Sequence, residues 1–495
     1  MGSRGGIFVV TATSPRLARL GRVVGGGLAA GVLLTLSLPP LSLWVLGPAG
    51  VAVLAWTVRA AGGWRARLLV GFFAGLGLYG PGLWWATEFQ SFGWVALALV
   101  EAGVLAVCVA LVRPARVVVA LPAALVVAEA VRGRWPFGGL PLAGLDLGQV
   151  EGPLLATARL GGHLLVVGMV GVAGIGLWGI ASRRWVVAAG CVGLVAVASV
   201  VGAVAFDGAR PERLDVAAVQ GGGVRGVRAI ESDPEDVLTA HIDASRSIQG
   251  ADLVVWPEDV VDVRGTLAGS PEEQLVSGLA QDLGVTLVAG AVEDVPGTLH
   301  FHNAAVVWVA DGSIVDRYEK VHRVPFGEYV PMRSFFAHLA DLENVPRDAI
   351  AGKGPGVLRT PVGRLAVSIS YEVFFADRAR SGVRAGGRLL LVPTNASSYT
   401  TSQVPAQELA AARVRAVETG RWVVQAAPTG YSGIIDQRGT VHRHGPLGKP
   451  AVIQATVQLR SGLTLAMRLG EWPVTLVAAA LLGCCWLPLA GRERA

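Results

Sequence analysis

Three short segments of this chain carry side chains suited to covalent catalysis. In Val254-Val255-Trp256-Pro257-Glu258 an apolar run leads straight into a carboxylate behind a proline. A strand end is a rigid mount for an acid or base, and partial burial there raises a carboxylate's pKa toward the useful range. The second segment, residues 317–331, is dense in charge and aromatics and is punctuated by two prolines and a glycine, which restrict its backbone. A fixed ammonium at Lys320 can stabilise the oxyanion of a tetrahedral intermediate, and Glu328 can orient or balance it. The third, residues 365–374, is an apolar run ending in Ser370, Tyr371 and Glu372. A nucleophile on a turn after a strand is open to attack, with the next backbone amide placed as an oxyanion donor. Taken singly, the three also read as a solvated loop glutamate, a charged surface loop and an ordinary strand-end serine outside any GxSxG pattern.

The elements that must position these groups have an α/β pattern. β-Rich runs lie at 214–219, 253–256, 285–289, 304–309, 365–370, 389–392, 422–426 and 451–457. Between them, 272–283 and 405–418 repeat apolar residues at three and four, as helices do. Asp311-Gly312 between apolar runs marks a hairpin, so some pairing is antiparallel. A layered sheet fold follows. Neither a Walker loop nor a dinucleotide fingerprint occurs, and His300 and His302 have no third ligand in view. We therefore expect no metal and no cofactor.

The remainder belongs to a bilayer. Of 495 residues 52% are hydrophobic and 16% charged, with mean hydropathy +0.53, whereas soluble domains average roughly a quarter charged. A pI near 9.4 and net charge of +6 raise nucleic-acid binding as a class, but the arginines lie mostly between hydrophobic stretches, so no nucleic acid is expected. Apolar spans are expected near 22–38, 42–58, 68–87, 92–112, 117–133, 162–181, 185–206 and 473–490. With eight spans and a cytoplasmic N-terminus, the inner segments carry Arg4, Arg16, Arg19, Arg22, Arg59, Arg65, Arg67, Arg113, Arg116, Arg183, Arg184, Arg492 and Arg494. The outer ones carry Arg132, Arg134 and Arg159. That asymmetry follows the positive-inside rule, and merging the first two spans across 38–41 would break it. The organisation expected is a membrane domain over 1–208, an extracytoplasmic domain over 209–470, and a last span with a cytoplasmic tail over 471–495. No cleaved signal peptide is expected. Cys108, Cys191, Cys484 and Cys485 all fall inside expected spans, which leaves the external domain without a disulfide framework or a nucleophilic cysteine.

In order and spacing, the three segments resemble the Glu, Lys and Cys segments of the nitrilase superfamily. With seven spans before and one after, the chain resembles the apolipoprotein N-acyltransferase family. The likeness rests on Trp256-Pro257-Glu258, on 320–331 with its Val-Pro-Phe-Gly-Glu-Tyr-Val-Pro core, and on Tyr371-Glu372-Val373. It extends to Thr394-Asn395, 415–421, 429–432 and, in the membrane part, 129–132 with 135–140. The resemblance implies an αββα nitrilase-like sandwich on a multi-pass helical domain in the cell membrane. It further implies that Glu258 is the general base, that Lys320 stabilises the oxyanion, and that residue 370 takes an acyl chain from a phospholipid. The acceptor would be the N-terminal cysteine amine of a diacylglyceryl lipoprotein. Glu328, Tyr371 and Glu372 come across as supporting residues, and the chain is expected to act as a monomer.

One departure stands out: the family has cysteine where this chain has Ser370. An alcohol is harder to deprotonate than a thiol, whose pKa is about 8.5, and an ester is a poorer acyl donor to an amine than a thioester. An engineered change, a natural paralogue with weak or altered activity, and a non-catalytic lipid- or lipoprotein-binding relative all fit, and carbon–nitrogen hydrolysis is the alternative chemistry. For access by the lipid donor, 332–339 with Phe335 and Phe336, together with Tyr399 and Val404, offer apolar side chains to the membrane interface.

Overall fold

The computed structural model describes residues 15–88, 91–225, 231–338, 345–399 and 401–487. Arg4, Arg492, Arg494 and Leu339 lie outside them. Seven helices come first: α1 (Pro15–Ser37), α2 (Leu46–Ala60), α3 (Trp64–Gly82), α4 (Ser91–Ala110), α5 (Val117–Arg132), α6 (Ala158–Ala181) and α7 (Trp185–Val204). α1 and α2 fold back on each other, so close that a Cβ on Gly50 would sit 2.8 Å from the Ala30 carbonyl oxygen. Small residues permit such approach where lipid supplies no hydrophobic drive.

Among the described residues, five helical stretches are long and apolar enough to cross a membrane: Arg19–Ser37, Phe92–Ala110, Pro114–Arg132, Pro153–Ala181 and Trp185–Val204. That is fewer than the eight expected. α2 has 15 residues, about 22 Å at helical rise against a hydrocarbon core of about 30 Å. α3 is long enough, but Arg65 and Arg67 in its first turn lower its hydropathy. The last helix, Trp472–Cys484, is short as well.

The chain continues through β1 (Ala209–Gln220), α8 (Pro234–Ser245), β2 (Leu253–Val255), β3 (Val261–Val263), α9 (Pro271–Leu283), β4 (Thr286–Asp294), β5 (His300–Trp308) and β6 (Ile314–Glu319). Then come α10 (Arg333–Phe336), β7 (Asp348–Ala349), β8 (Val357–Thr360), β9 (Gly363–Val367), α11 (Ala376–Arg384), β10 (Leu390–Pro393), α12 (Val404–Thr419) and β11 (Val423–Ala426). β12 (Gly433–Ile435), β13 (Val441–His444), β14 (Ala451–Ser461), α13 (Leu465–Leu469) and α14 (Trp472–Cys484) complete it. One sheet runs β14-β1-β2-β4-β5-β6, with β3 beside β4 and β7 beside β5; the other runs β13-β12-β11-β10-β9-β8. β1, β2 and β4 are parallel, as are β9, β10 and β11, and antiparallel strands flank each set. Asp311-Gly312 does turn β5 into an antiparallel β6.

Strand alternation sorts the core into layers. Val216, Ala218, Val255, Val288 and Val307 of the first sheet meet Leu365, Val367, Leu391, Val424 and Ile434 of the second. The alternate residues Ala217, Val219, Val254 and Leu287 face Leu238 of α8 and Val276, Leu279 and Ala280 of α9. On the far side, Ala366, Leu390, Val392 and Val423 share one apolar cluster with α11, α12 and the membrane helices. The sandwich is therefore αββα, and its α11–α12 layer is seated on the bundle. Gln407 of α12 fastens the join, accepting from the Ala143 amide at 2.9 Å and donating to the Gly82 carbonyl at 3.1 Å.

Candidate active site

Each of the three chemical segments leaves a strand at the same edge of the sandwich. Glu258 follows β2 after Trp256-Pro257. β4 passes so close that a Cβ at Gly290 would lie 2.4 Å from the Glu258 Cα, a separation only glycine allows. Lys320 directly follows β6, and its amide donates to the Asn303 carbonyl at 2.8 Å. The run toward Ser370 differs from expectation. β9 ends at Val367, and Ser370 opens a 3₁₀ turn, Ser370–Phe374, with φ of +48°. Left-handed backbone at a residue with a Cβ costs on the order of 1–3 kcal/mol and persists where surrounding contacts impose it.

Those contacts converge on Glu372, which is buried. One of its oxygens accepts from the amides of Val321 (2.7 Å) and His322 (3.1 Å), the other from the amide of Ile369 (2.9 Å), while the Tyr318 hydroxyl donates at 2.9 Å. A single carboxylate thus locks the residues after Lys320 to the residue before Ser370.

The charged centre is largely buried. Lys320, 2% exposed, places its Nζ 2.7 Å from Glu258 Oε1 and 2.7 Å from Glu328 Oε1. Asn303 donates to the same two oxygens at 2.9 and 3.0 Å. Glu328 is held in turn by the Val324 amide at 2.8 Å. Burial works against the ammonium, but the two carboxylates outweigh it and keep Lys320 charged. Burial holds Glu258 above the usual carboxylate range, against the pull of Lys320. Asp259, partly buried beside it with φ of +59°, is raised further by desolvation and then by Glu258.

On the other side of Ser370 lies a pair that sequence reasoning passed over as site residues. The Ser370 hydroxyl reaches Glu408 Oε1 at 3.5 Å and Thr394 Oγ1 at 3.2 Å, and Thr394 donates to Glu408 Oε1 at 2.8 Å. Glu408 sits in the first half of α12, inside an otherwise helical apolar repeat with no flanking motif to mark it. Asn303 sits in a β-strand and was missed for the same reason.

The other expected residues are placed as follows. Tyr371 donates to the Gly139 carbonyl at 2.7 Å, in the loop after α5. Tyr329 donates to the Phe137 carbonyl of that loop at 3.2 Å. Phe336 and the 57%-exposed Phe335 stack edge-on, and Phe336 also meets Phe326 and Phe137, so an aromatic rim surrounds the same loop. Tyr399 packs edge-on against Trp85. Val404 is buried, which removes it from the interface. His302 lies 3.5 Å from Glu319, and no group of three or more His, Cys, Asp or Glu side chains placed to hold a metal occurs among the described residues.

The loop after α5 has its own anchor. Arg132 is buried between Glu101 (2.5 Å) and Glu129 (2.7 Å), donates to the carbonyls of Leu140 and Leu142, and stacks on Tyr79 at 4.2 Å. The membrane bundle thereby fixes the backbone on which Tyr371 and Tyr329 rest.

A buried Glu–Lys–Glu centre beside a strained hydroxyl, carried on two stacked sheets, defines a catalytic domain of the carbon–nitrogen hydrolase class, here seated on membrane helices. Residues 215–463 match the carbon-nitrogen hydrolase family, and residues 30–176 match the apolipoprotein N-acyltransferase N-terminal domain. The chain is 31% identical to the apolipoprotein N-acyltransferase of Azotobacter vinelandii, covering 94% of this chain and 95% of the relative. Against that of Mycolicibacterium smegmatis identity is 30%, covering 96% and 85%. The chain belongs to the apolipoprotein N-acyltransferase family. Among solved structures it is similar to Nit3 of Saccharomyces cerevisiae, a nitrilase superfamily member, at 21% identity and TM-score 0.38, covering 57% of this chain and 97% of that one.

Proposed function

We propose that this chain is a membrane acyltransferase that moves an acyl chain from a phospholipid to the N-terminal amine of a diacylglyceryl lipoprotein, through an ester on Ser370. The observation that carries the reading is the Lys320 ammonium held between Glu258 and Glu328, joined through Glu372 to the strained turn at Ser370. Ser370 is the nucleophile, Glu258 the general base and Lys320 the oxyanion partner, preorganised in a site that excludes water. Glu328 balances Lys320, Glu372 sets the turn, and Tyr371 fixes the catalytic domain against the membrane loop. Phe335, Phe336 and Tyr399 line the route by which lipid enters.

In this reading the membrane domain spans 1–208, the catalytic domain 209–470, and 471–495 returns to the cytoplasm. The orientation is supported by charge. The bundle end away from the sandwich carries Arg19, Arg22, Arg59, Arg65, Arg67, Arg113, Arg116, Arg183 and Arg184, a distribution that supports a cytoplasmic reading of that end and an extracytoplasmic reading of the sandwich. One chain carries every residue of the site, so a monomer suffices.

The test is mass spectrometry of a model lipoprotein from cells whose sole such enzyme is this chain. A third acyl chain on the N-terminal cysteine is expected. A free amine with lipoprotein still bound would instead fit the non-catalytic binding role that a serine at position 370 otherwise favours.

A further inference from the structure

The buried acid nearest the nucleophile has been given no role. Glu408 is 4% exposed and, among the described residues, is the carboxylate within hydrogen-bonding reach of the Ser370 hydroxyl. Glu258 is differently engaged: its Oε1 already takes the Lys320 ammonium and the Asn303 amide. Three oxygens form a triangle around the nucleophile, with sides of 3.5 Å (Ser370 Oγ to Glu408 Oε1), 3.2 Å (Ser370 Oγ to Thr394 Oγ1) and 2.8 Å (Thr394 Oγ1 to Glu408 Oε1). Two of these are hydroxyls, each with one proton to give. Only the carboxylate can end the chain as a pure acceptor. A serine nucleophile also needs more help than a cysteine would, since a thiol supplies thiolate near neutral pH and an alcohol does not.

We propose that Glu408 is a second catalytic base, dedicated to Ser370, which takes the serine proton directly or through Thr394. This rests on the acyl-transfer reading and, within it, moves the proton work from Glu258 to Glu408. As Oγ bonds to the acyl carbonyl carbon, the Oγ–H proton passes to Glu408. As the ester C–O bond to glycerol breaks, that proton passes to the glycerol oxygen, leaving a Ser370 ester, a lysophospholipid and Glu408 again ionised. In the second half, the proton lost by the attacking amine returns to Oγ by the same carboxylate as the amide forms. Glu258 then keeps Lys320 in place and charged.

The surroundings suit the role. Burial raises the Glu408 carboxyl to about 7, with Glu258 adding to the rise while Thr394, Lys320 and Ser370 oppose it. Tyr399 is the further titratable group that faces it. A base with its pKa near the working pH combines a useful ionised fraction with proton affinity.

The experiment follows the rate at which the purified full-length protein in phospholipid vesicles gains an acyl adduct, without acceptor, across pH 5.5–8.5. Wild type, Glu408→Gln, Ser370→Cys and the double variant are compared. Glu408→Gln is expected to slow acylation about 100-fold or more and to erase its rise through pH 7. In the Ser370→Cys background the same change is expected to cost less than about 5-fold, because the thiol ionises without that base. A Glu408→Gln protein that acylates at the wild-type rate overturns the proposal. So does an equal loss in both backgrounds, which would make Glu408 merely structural. If no variant acquires an adduct, including Ser370→Cys, the acyl-transfer reading itself fails, a distinct result.

Discussion

Glu372 accepts a 2.7 Å hydrogen bond from the amide of Val321, the residue that follows Lys320. Its other oxygen takes the Ile369 amide, immediately before Ser370. The relative position of ammonium and nucleophile is therefore set by one buried side chain that touches neither. Glu372→Gln keeps one of the two acceptor oxygens and puts an NH₂ donor amid other donors, so a loss of about 2–3 kcal/mol is expected. Thermal unfolding in detergent checks the stability. Turnover should fall at least about tenfold beyond what lost stability explains, as reacting groups drift from alignment.

Lys320→Met leaves Glu258 and Glu328 buried without their cation. Removing one partner of a buried ion pair costs about 3–5 kcal/mol. Adding Glu258→Gln to Lys320→Met is expected to restore part of that stability while leaving activity abolished. A fall in stability with no recovery in the double variant would show that the pair is not electrostatically coupled.

Arg132→Met should behave alike though it lies in the bundle, because Glu101 and Glu129 lose their shared partner. The effect should reach the catalytic domain, since Arg132 holds Leu140 and Leu142 and Tyr371 holds Gly139. Tyr371→Phe removes only the last contact and is expected to cost about 1 kcal/mol and a few-fold in turnover. Assayed together, the two variants show whether the loop is the link.

Glu418 of α12 is buried beside Arg415, 2.6 Å away, and burial raises its carboxyl from 4.5 to about 7. Asp146, in the loop facing it, rises from 3.8 to about 7 by burial and then the repulsion of Glu129. In the unfolded chain both ionise at their ordinary values, so between about pH 4.5 and 7 the folded state binds more protons. Stability from these groups is greatest at the acid end of that window and falls as pH rises through it. Glu418→Gln should flatten that fall. Unfolding midpoints from pH 5 to 8 are the measurement, and an unchanged slope would contradict the assignment.

Much of the site was legible because the sequence marks it. Glu258 and Ser370 each lie just past an apolar strand, and Lys320 stands in a loop marked by its charge, aromatics and prolines. What was not legible depends on tertiary approach. Glu408 is one of several polar residues on a helix whose repeat is apolar, and only the packing of α12 over the Ser370 turn brings it to the hydroxyl. Asn303 is a polar residue within β5, without local reason to be there. The Arg132–Glu101 pair spans 31 positions on two apolar helices. The helix positions were plain from hydropathy, whereas hydropathy alone did not show that α2 is short or how far the two arginines of α3 lower its mean.

Replacing Ser370 by Cys should raise turnover, because a thioester gives up its acyl group to an amine more readily than an ester does. Steady-state acylation of a lipopeptide measures it. An unchanged rate would undermine the place given to residue 370.

The central claim is that Ser370 itself carries the acyl group, in a site it shares with Glu258 and Lys320. Peptide mapping by mass spectrometry after incubation with phospholipid and no acceptor tests it most directly. The account predicts an acyl ester on Ser370, absent in Ser370→Ala and in Lys320→Met. An adduct on another residue, or lipoprotein acylation by Ser370→Ala at the wild-type rate, would contradict it.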